Sequence, residues 1–237
     1  MAHLAQSECL RSSRHQCMHY GTQRDRLISN ADARCRIFML YTLYGKRVLD
    51  LTIALSMSFV LSPFFLLATI LVRLESSGPV LFRQQRLGRN GQVFTLYKFR
   101  TMIDKDRVAD RQIWSSEPEV TRTGKLLRRL KMDELPQLFN VLKGHMSIVG
   151  PRPCLPSLAS EPGFSPVRLV LRPGLTGLAQ VNGNIHLSWQ ERYHYDEDYI
   201  KRVSPLLDLW IICKTVAIIM LGEEHFIRRP GAATCNR

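Results

Sequence analysis

Apolar and polar positions along this chain change texture several times, and each change predicts an element. Residues 51–72 run for 22 positions without an Asp, Glu, Lys or Arg, which matches the roughly 20 apolar residues a helix needs to cross a bilayer. Ser62-Pro63 stands near the middle of that run, where proline removes a helical hydrogen bond and clashes with the preceding turn. Three readings are open: a kinked helix that crosses, a buried core helix, or a helix that breaks and turns back. Arg36, Lys46 and Arg47 precede the run, and Arg73, Arg83, Arg86 and Arg89 follow it. Basic residues favour the cytoplasmic side, so similar basic clusters at both ends favour the re-entrant reading. The Ser62 hydroxyl is then a candidate partner for a backbone group freed at the break.

The remaining pattern is that of a small mixed domain. Residues 78–102 read as two strands around Asn90-Gly91, a pair that accepts the positive φ a tight hairpin needs. Residues 103–120 are polar, a loop or short helix. Residues 124–131 form a basic helical turn or two with Leu126, Leu127 and Leu130 on one side. In 133–144, Leu135, Leu138, Phe139 and Leu142 follow the i, i+3, i+4, i+7 spacing of a helix, with Pro136 in its first turn and Gly144 at its stop. Residues 149–183 are rich in Pro and Gly and read as mostly loops. Residues 209–221 are apolar but carry Lys214, with Asp208 just before them, and read as an amphipathic helix on the core or at an interface. The expected fold is α+β, mostly helical. It comprises a disordered basic arm (1–45), a membrane helix-break-helix (46–75), a cytoplasmic globular domain with a β-hairpin and Pro/Gly-rich loops (76–221), and a flexible tail (222–237).

Charge narrows the partners. A net charge of +13 over 237 residues attracts nucleic acid, acidic lipid or a phosphorylated substrate. No nucleic-acid motif is present, and a long uncharged run is hard to place in such a protein, so nucleic acid is not an expected partner. The six cysteines are scattered without a CxxC pair and read as reduced thiols. Cys9, His15, Cys17 and His19 fit no zinc-finger spacing.

Asp133 and Glu134 are the candidate chemistry. Neighbouring acids at a helix start more often cap free N–H groups. Here, however, Arg128, Arg129 and Lys131 lie just upstream and a rigid Pro151-Arg152-Pro153 turn lies downstream. Guanidinium groups hold phosphate oxygens, one carboxylate can bind Mg²⁺ and the other can act as nucleophile.

Several blocks in order resemble the bacterial sugar transferase family, the small monotopic polyprenyl-phosphate phosphoglycosyl transferases. They are KRVLDLTIALSMSFVLSPFFLLATILVRL, GPVLFRQQRLGRNGQVFTLYKFRTM, TRTGKLLRRLKMDELPQLFNVLKGHMSIVGPRP, and LRPGLTGLAQVNG followed by Ser188-Trp189. The resemblance implies transfer of a sugar 1-phosphate from a UDP-sugar to undecaprenyl phosphate, with release of UMP. The place it implies is the cytoplasmic face of the bacterial inner membrane, among membrane lipid, in exopolysaccharide, O-antigen or glycoconjugate assembly. It implies a re-entrant helix broken at Ser62-Pro63, Asp133 as the nucleophile forming a phosphosugar ester, and Glu134 as the Mg²⁺ ligand. It further implies Lys98, Arg128 and Arg152, within the Pro151 and Pro153 turn, as substrate contacts, and Asp196 and Asp208 as acids that support the site. Three positions depart from the family pattern. Asn184 stands where an arginine is frequent, His145 replaces an acid, and Lys131-Met132 replaces a Ser-Leu. An inactive membrane-tethered scaffold is the alternative these departures keep open.

Overall fold

The computed structural model describes residues 40–103, 119–161 and 163–222. The Cys9 to His19 cluster, nearly all of the basic arm, most of the polar stretch 103–120 and the tail after residue 222 lie outside the described residues. A π-helical turn, Tyr41–Gly45, leads into helix α1, Lys46–Val60, followed by α2, Ser62–Glu75. No single helix among the described residues is long and apolar enough to cross a membrane. Together α1 and α2 pass that test of length and composition, bent by 61° at Leu61.

The bend has a local cause. Proline at 63 cannot donate to the carbonyl of Phe59 four residues back, and the Ser62 hydroxyl takes that carbonyl at 2.8 Å. Outward from the bend the pair is apolar and bare: Phe59 is 83% and Leu74 80% exposed, with Leu55, Phe64, Leu66 and Ile70 also uncovered. The foot of α1 behaves differently. Lys46, Asp50 and Ala54 are buried on one face. Lys46 Nζ lies 2.5 Å from Asp208 Oδ2 and 2.9 Å from the Tyr199 hydroxyl. The Arg47 guanidinium donates to the carbonyls of Val141 and Leu142 at 2.7 and 3.0 Å. Asp50 Oδ1 accepts from the Ser147 hydroxyl and the Ile148 amide at 2.9 and 2.8 Å. Three side chains within two turns thus tie α1 to three different parts of the domain.

Strands β1, Leu81–Leu87, and β2, Val93–Phe99, form the expected antiparallel hairpin, registered from Leu81 opposite Phe99 to Leu87 opposite Val93. Asn90 and Gly91 adopt φ of 56° and 71°, as the sequence predicts, though within a five-residue loop, 88–92, rather than a two-residue turn. Helix α3 is Arg122–Arg129. The helix expected over 133–144 is shorter: Met132–Glu134 is a 3₁₀ turn, and α4 spans Gln137–Leu142. The apolar spacing is real, but Lys131 at φ 55° and Pro136 confine the α-helical backbone to its second half. Asn140 on α4 fastens it to β2, accepting from the Tyr97 amide at 3.1 Å and donating to the Thr95 carbonyl at 2.7 Å.

The loop-rich stretch holds more structure than its composition suggests. Strand β3, Ser147–Val149, pairs in parallel with β4, Gly174–Thr176, followed by α5, Leu178–Val181. Glycines make this crossing possible: a Cβ on Gly174 would fall 2.1 Å from the Gly150 amide nitrogen, and one on Gly177 would fall 2.2 Å from the Gly150 carbonyl oxygen. Helix α6, Trp189–Arg202, starts from a Ser188/Glu191 capping box. Helix α7, Pro205–Leu221, is capped by Ser204, so it begins before the apolar run and takes Asp208 into its first turn. The main core joins Ala54, Leu96, Leu138, Val141, Met146, Tyr199 and Ile211, drawn from α1, β2, α4, α6, α7 and the stretch before β3. The mixed, mostly helical domain with a hairpin matches the expected class.

Candidate active site

The site is built where a helix end, a strand and a turn meet. Thr121 caps α3 by accepting from the Gly124 amide at 2.9 Å. The carboxylate of Glu75, at the end of α2, accepts from the amides of Arg122 and Thr123 at 2.6 and 2.7 Å. Gly124 lets α3 touch β2's continuation, since a Cβ there would meet the Thr101 carbonyl oxygen at 2.1 Å. After α3 the left-handed Lys131 reverses the chain, and the 3₁₀ turn presents Asp133 and Glu134 toward the hairpin. These acids therefore do not cap α4; they sit one turn before it and face cations.

Lys98, on β2, donates to Glu134 Oε1 at 2.7 Å, and Arg152, after β3, donates to the same oxygen at 2.8 Å. Arg128, on α3, is steered by its Nε bond to the Thr101 hydroxyl at 3.0 Å. Burial pushes Glu134 up, but the Arg152 and Lys98 charges outweigh it and hold the carboxyl well below the usual range. Burial and then the neighbouring Glu134 charge push Asp133 up, with Lys98, Arg128 and Arg152 pulling the other way. One acid is an anion held by two cations; the other, beside it, is the more basic carboxylate. Such a pair divides between an electrostatic role and a nucleophilic one.

Asp196 and Asp208 lie apart from this cluster. Asp196 Oδ2 on α6 forms a buried ion pair with Arg168 at 2.9 Å. Burial pushes Asp196 up to about 6, against the Arg168 and Arg192 charges. Asp208 accepts from the hydroxyls of Tyr41 and Tyr199 at 2.6 and 2.7 Å and from Lys46, at the foot of α1. Cation surplus continues past Arg152: Arg192 stacks 4.7 Å from the Trp189 ring. Burial and the nearby Arg152 and Arg168 charges lower its pKa. Asn184 occupies a left-handed position, φ 48°, and the His145 ring lies 5.7 Å from that of Phe94. Cys154 and Cys213 are free thiols; the other cysteines lie outside the described residues.

Sequence reading missed Arg168, Arg86, Thr101 and the Lys46–Asp50 foot. Arg168 left one signal, a charge inside the apolar run Val167 to Leu171. A lone charge in such a run is usually paired.

Comparison with known proteins supplies the family. A family model described as bacterial sugar transferase matches residues 41–222. "Uncharacterized sugar transferase EpsL" of Bacillus subtilis is 43% identical over 193 residues, covering 81% of this chain and 94% of the relative. The UDP-glucose:undecaprenyl-phosphate glucose-1-phosphate transferase of Caulobacter vibrioides is 42% identical over 193 residues, covering 76% and 72%. The UDP-N-acetylgalactosamine-undecaprenyl-phosphate N-acetylgalactosaminephosphotransferase of Aeromonas hydrophila is 40% identical over 185 residues, covering 75% of this chain and 44% of that longer protein. With its dyad, its cations and the matched span all in one domain, the chain belongs to the bacterial sugar transferase family.

Proposed function

We propose that this protein transfers a sugar 1-phosphate from a UDP-sugar to undecaprenyl phosphate, at the cytoplasmic face of the bacterial inner membrane, as the first membrane step of exopolysaccharide or glycoconjugate assembly. The chain is an enzyme of the phosphoglycosyl transferase class. The observation that carries the reaction is the Asp133–Glu134 pair, with Lys98 and Arg152 on Glu134 Oε1 and Arg128 alongside.

In the first half-reaction an Asp133 carboxylate oxygen attacks the phosphorus that bears the sugar. The bond from that phosphorus to the bridging oxygen breaks, and UMP leaves with its electron pair. In the second, a phosphate oxygen of undecaprenyl phosphate attacks the same phosphorus and Asp133 returns as a free carboxylate. An anionic nucleophile meets an anionic diphosphate only where the repulsion is offset, and Lys98, Arg128 and Arg152 supply fixed charge for that. The donor set suits Mg²⁺. Among the described residues no group of three or more His, Cys, Asp or Glu can hold a metal alone; Glu134 is the residue that would hold Mg²⁺. One protein carboxylate would be enough, because Mg²⁺ sites commonly draw the rest of their ligands from water and substrate. When bound, it supplies further positive charge on the diphosphate. The bent α1–α2 pair, apolar outside and basic at both ends, supports a re-entrant anchor that returns to the face it left.

The test is UMP release by full-length protein with Mg²⁺, undecaprenyl phosphate and a panel containing UDP-glucose and UDP-N-acetylgalactosamine. Turnover with at least one donor is expected, together with a trapped phosphosugar adduct on Asp133. Absence of turnover with every donor would favour the scaffold reading instead.

A further inference from the structure

The Pro151-Arg152-Pro153 turn is held by every one of its carbonyls. That of Pro151 accepts from the Gly174 amide at 2.9 Å, that of Arg152 from Arg168 Nη2 at 2.9 Å, and that of Pro153 from Arg86 Nη1 at 3.1 Å. The next carbonyl, of Cys154, accepts from the Leu87 amide at 2.9 Å. Arg86 is itself fixed by two bonds to Gln84 Oε1, at 3.1 and 2.6 Å. Prolines at both flanks fix φ and remove two amide donors. What orders this turn is therefore the set of donors that reach its carbonyls from outside.

Arg168 is the least expected of these donors. Its side chain is 4% exposed, with Asp196 at 2.9 Å and the Tyr193 ring 4.9 Å from its guanidinium carbon. The contact of Arg168 Nη2 with Asp196 Oδ2 is Coulombic rather than an aligned hydrogen bond, for that oxygen has no hydrogen-bond partner among the described residues. A buried ion pair of this kind contributes little net stability. Its geometric result is definite: a guanidinium clamped between α6 and the 3₁₀ turn Pro166–Leu169, with one edge on the Arg152 carbonyl.

We propose that Arg168 is a positioning residue, backed by Asp196 and Tyr193, that sets where the Arg152 side chain meets Glu134 and the substrate phosphate. The proposal rests on the reading of Arg152 as a phosphate contact given above. It also gives the support expected of Asp196 a definite object, the turn that holds Arg152.

Two measurements on full-length protein test it. The first is a double-mutant cycle in UMP release. Arg168→Lys, which keeps the charge beside Asp196 but not the fork, is expected to lower kcat/KM for the UDP-sugar about 10-fold. In an Arg152→Ala background it is expected to cost less than about 2-fold, because the residue it positions is gone. Arg202→Ala, at the exposed Arg202–Asp198 pair, serves as the control and leaves the rate unchanged. An equal loss from Arg168→Lys in both backgrounds overturns the proposal. The second measurement needs no activity: amide exchange in the segment 150–155 is expected to quicken in Arg168→Lys while that of α7 does not. Unchanged exchange there overturns the proposal whatever the kinetics show. Wild-type protein that releases no UMP from any donor would remove the functional reading, and the exchange measurement would still decide the role of Arg168.

Discussion

At the scale of single residues, charge is spent unevenly between two adjacent acids. Glu134 receives both close cations on one oxygen, and Asp133 is left the more basic of the two. Asp133→Asn is expected to fold like the wild type and to lose UMP release by at least about 1,000-fold, since an amide cannot form the ester. Release at the wild-type rate would remove Asp133 as the nucleophile. Asp196 gives a prediction about stability. Its pKa in the fold, about 6, is above the ordinary aspartate value, so the stability linked to its proton is present at low pH and is lost as pH rises through about 6. Wild-type protein is therefore expected to lose stability relative to Asp196→Asn between pH 4 and 6, by on the order of 3 kcal/mol. A melting-temperature difference that stays flat across that range would contradict the assignment. The dyad, Lys98, Arg128 and Arg152 were legible in the sequence because motif blocks carried them. Arg168 was not, because its partners come from 16 and 28 residues away and no local spacing encodes them. Asp208 was read as an acid before a helix; only the fold shows Tyr41 and Lys46 arriving on it.

At the scale of elements, the break in the apolar run was readable and its chemistry was partly so. Ser62 and Pro63 act together, one removing a donor from the Phe59 carbonyl and the other supplying one. Pro63→Ala restores an amide that can reach that carbonyl. The 61° bend is expected to relax, lengthening the distance between spin labels at the exposed positions Val48 and Leu74. An unchanged distance would mean that packing, not proline, sets the angle. The β3–β4 crossing was not readable, because three-residue strands show no alternation and Pro and Gly masked them as loop. Gly174→Ala drives a methyl into the Gly150 backbone and is expected to destabilise by about 3 kcal/mol or more, visible as a shift in thermal unfolding. Full tolerance would show that the crossing can widen. The helix over 133–144 was half right: its spacing marked the core face, while the left-handed Lys131 and Pro136 gave the dyad its own turn.

At the scale of the whole molecule, the division into anchor and catalytic domain at residue 75 does not follow the packing. Tyr41 and Ala54 belong to the main core, with Ile53 and Met57 packed against it, and Lys46, Arg47 and Asp50 bond α7, α4 and β3. A fragment of residues 76–221 is expected to lack cooperative unfolding and to aggregate, because it would leave Asp208, the α4 carbonyls and the Ser147 hydroxyl buried without these partners. A monomeric fragment with a sharp transition would show that the domain is self-sufficient. Lys46→Met tests the same point more gently and is expected to cost about 3 kcal/mol by stranding the Asp208 carboxylate.

The grip of Arg47 on the end of α4 carries a last consequence. The same short helix begins where the dyad turn ends, so a tilt of α1 would reach Asp133 through a lever about two turns long. If the α1–α2 pair is anchored in lipid as proposed above, acyl-chain length would then tune turnover. Thicker bilayers would re-angle the lever and change the rate with both substrates unaltered, an effect that reconstitution across a series of chain lengths would register as a single optimum.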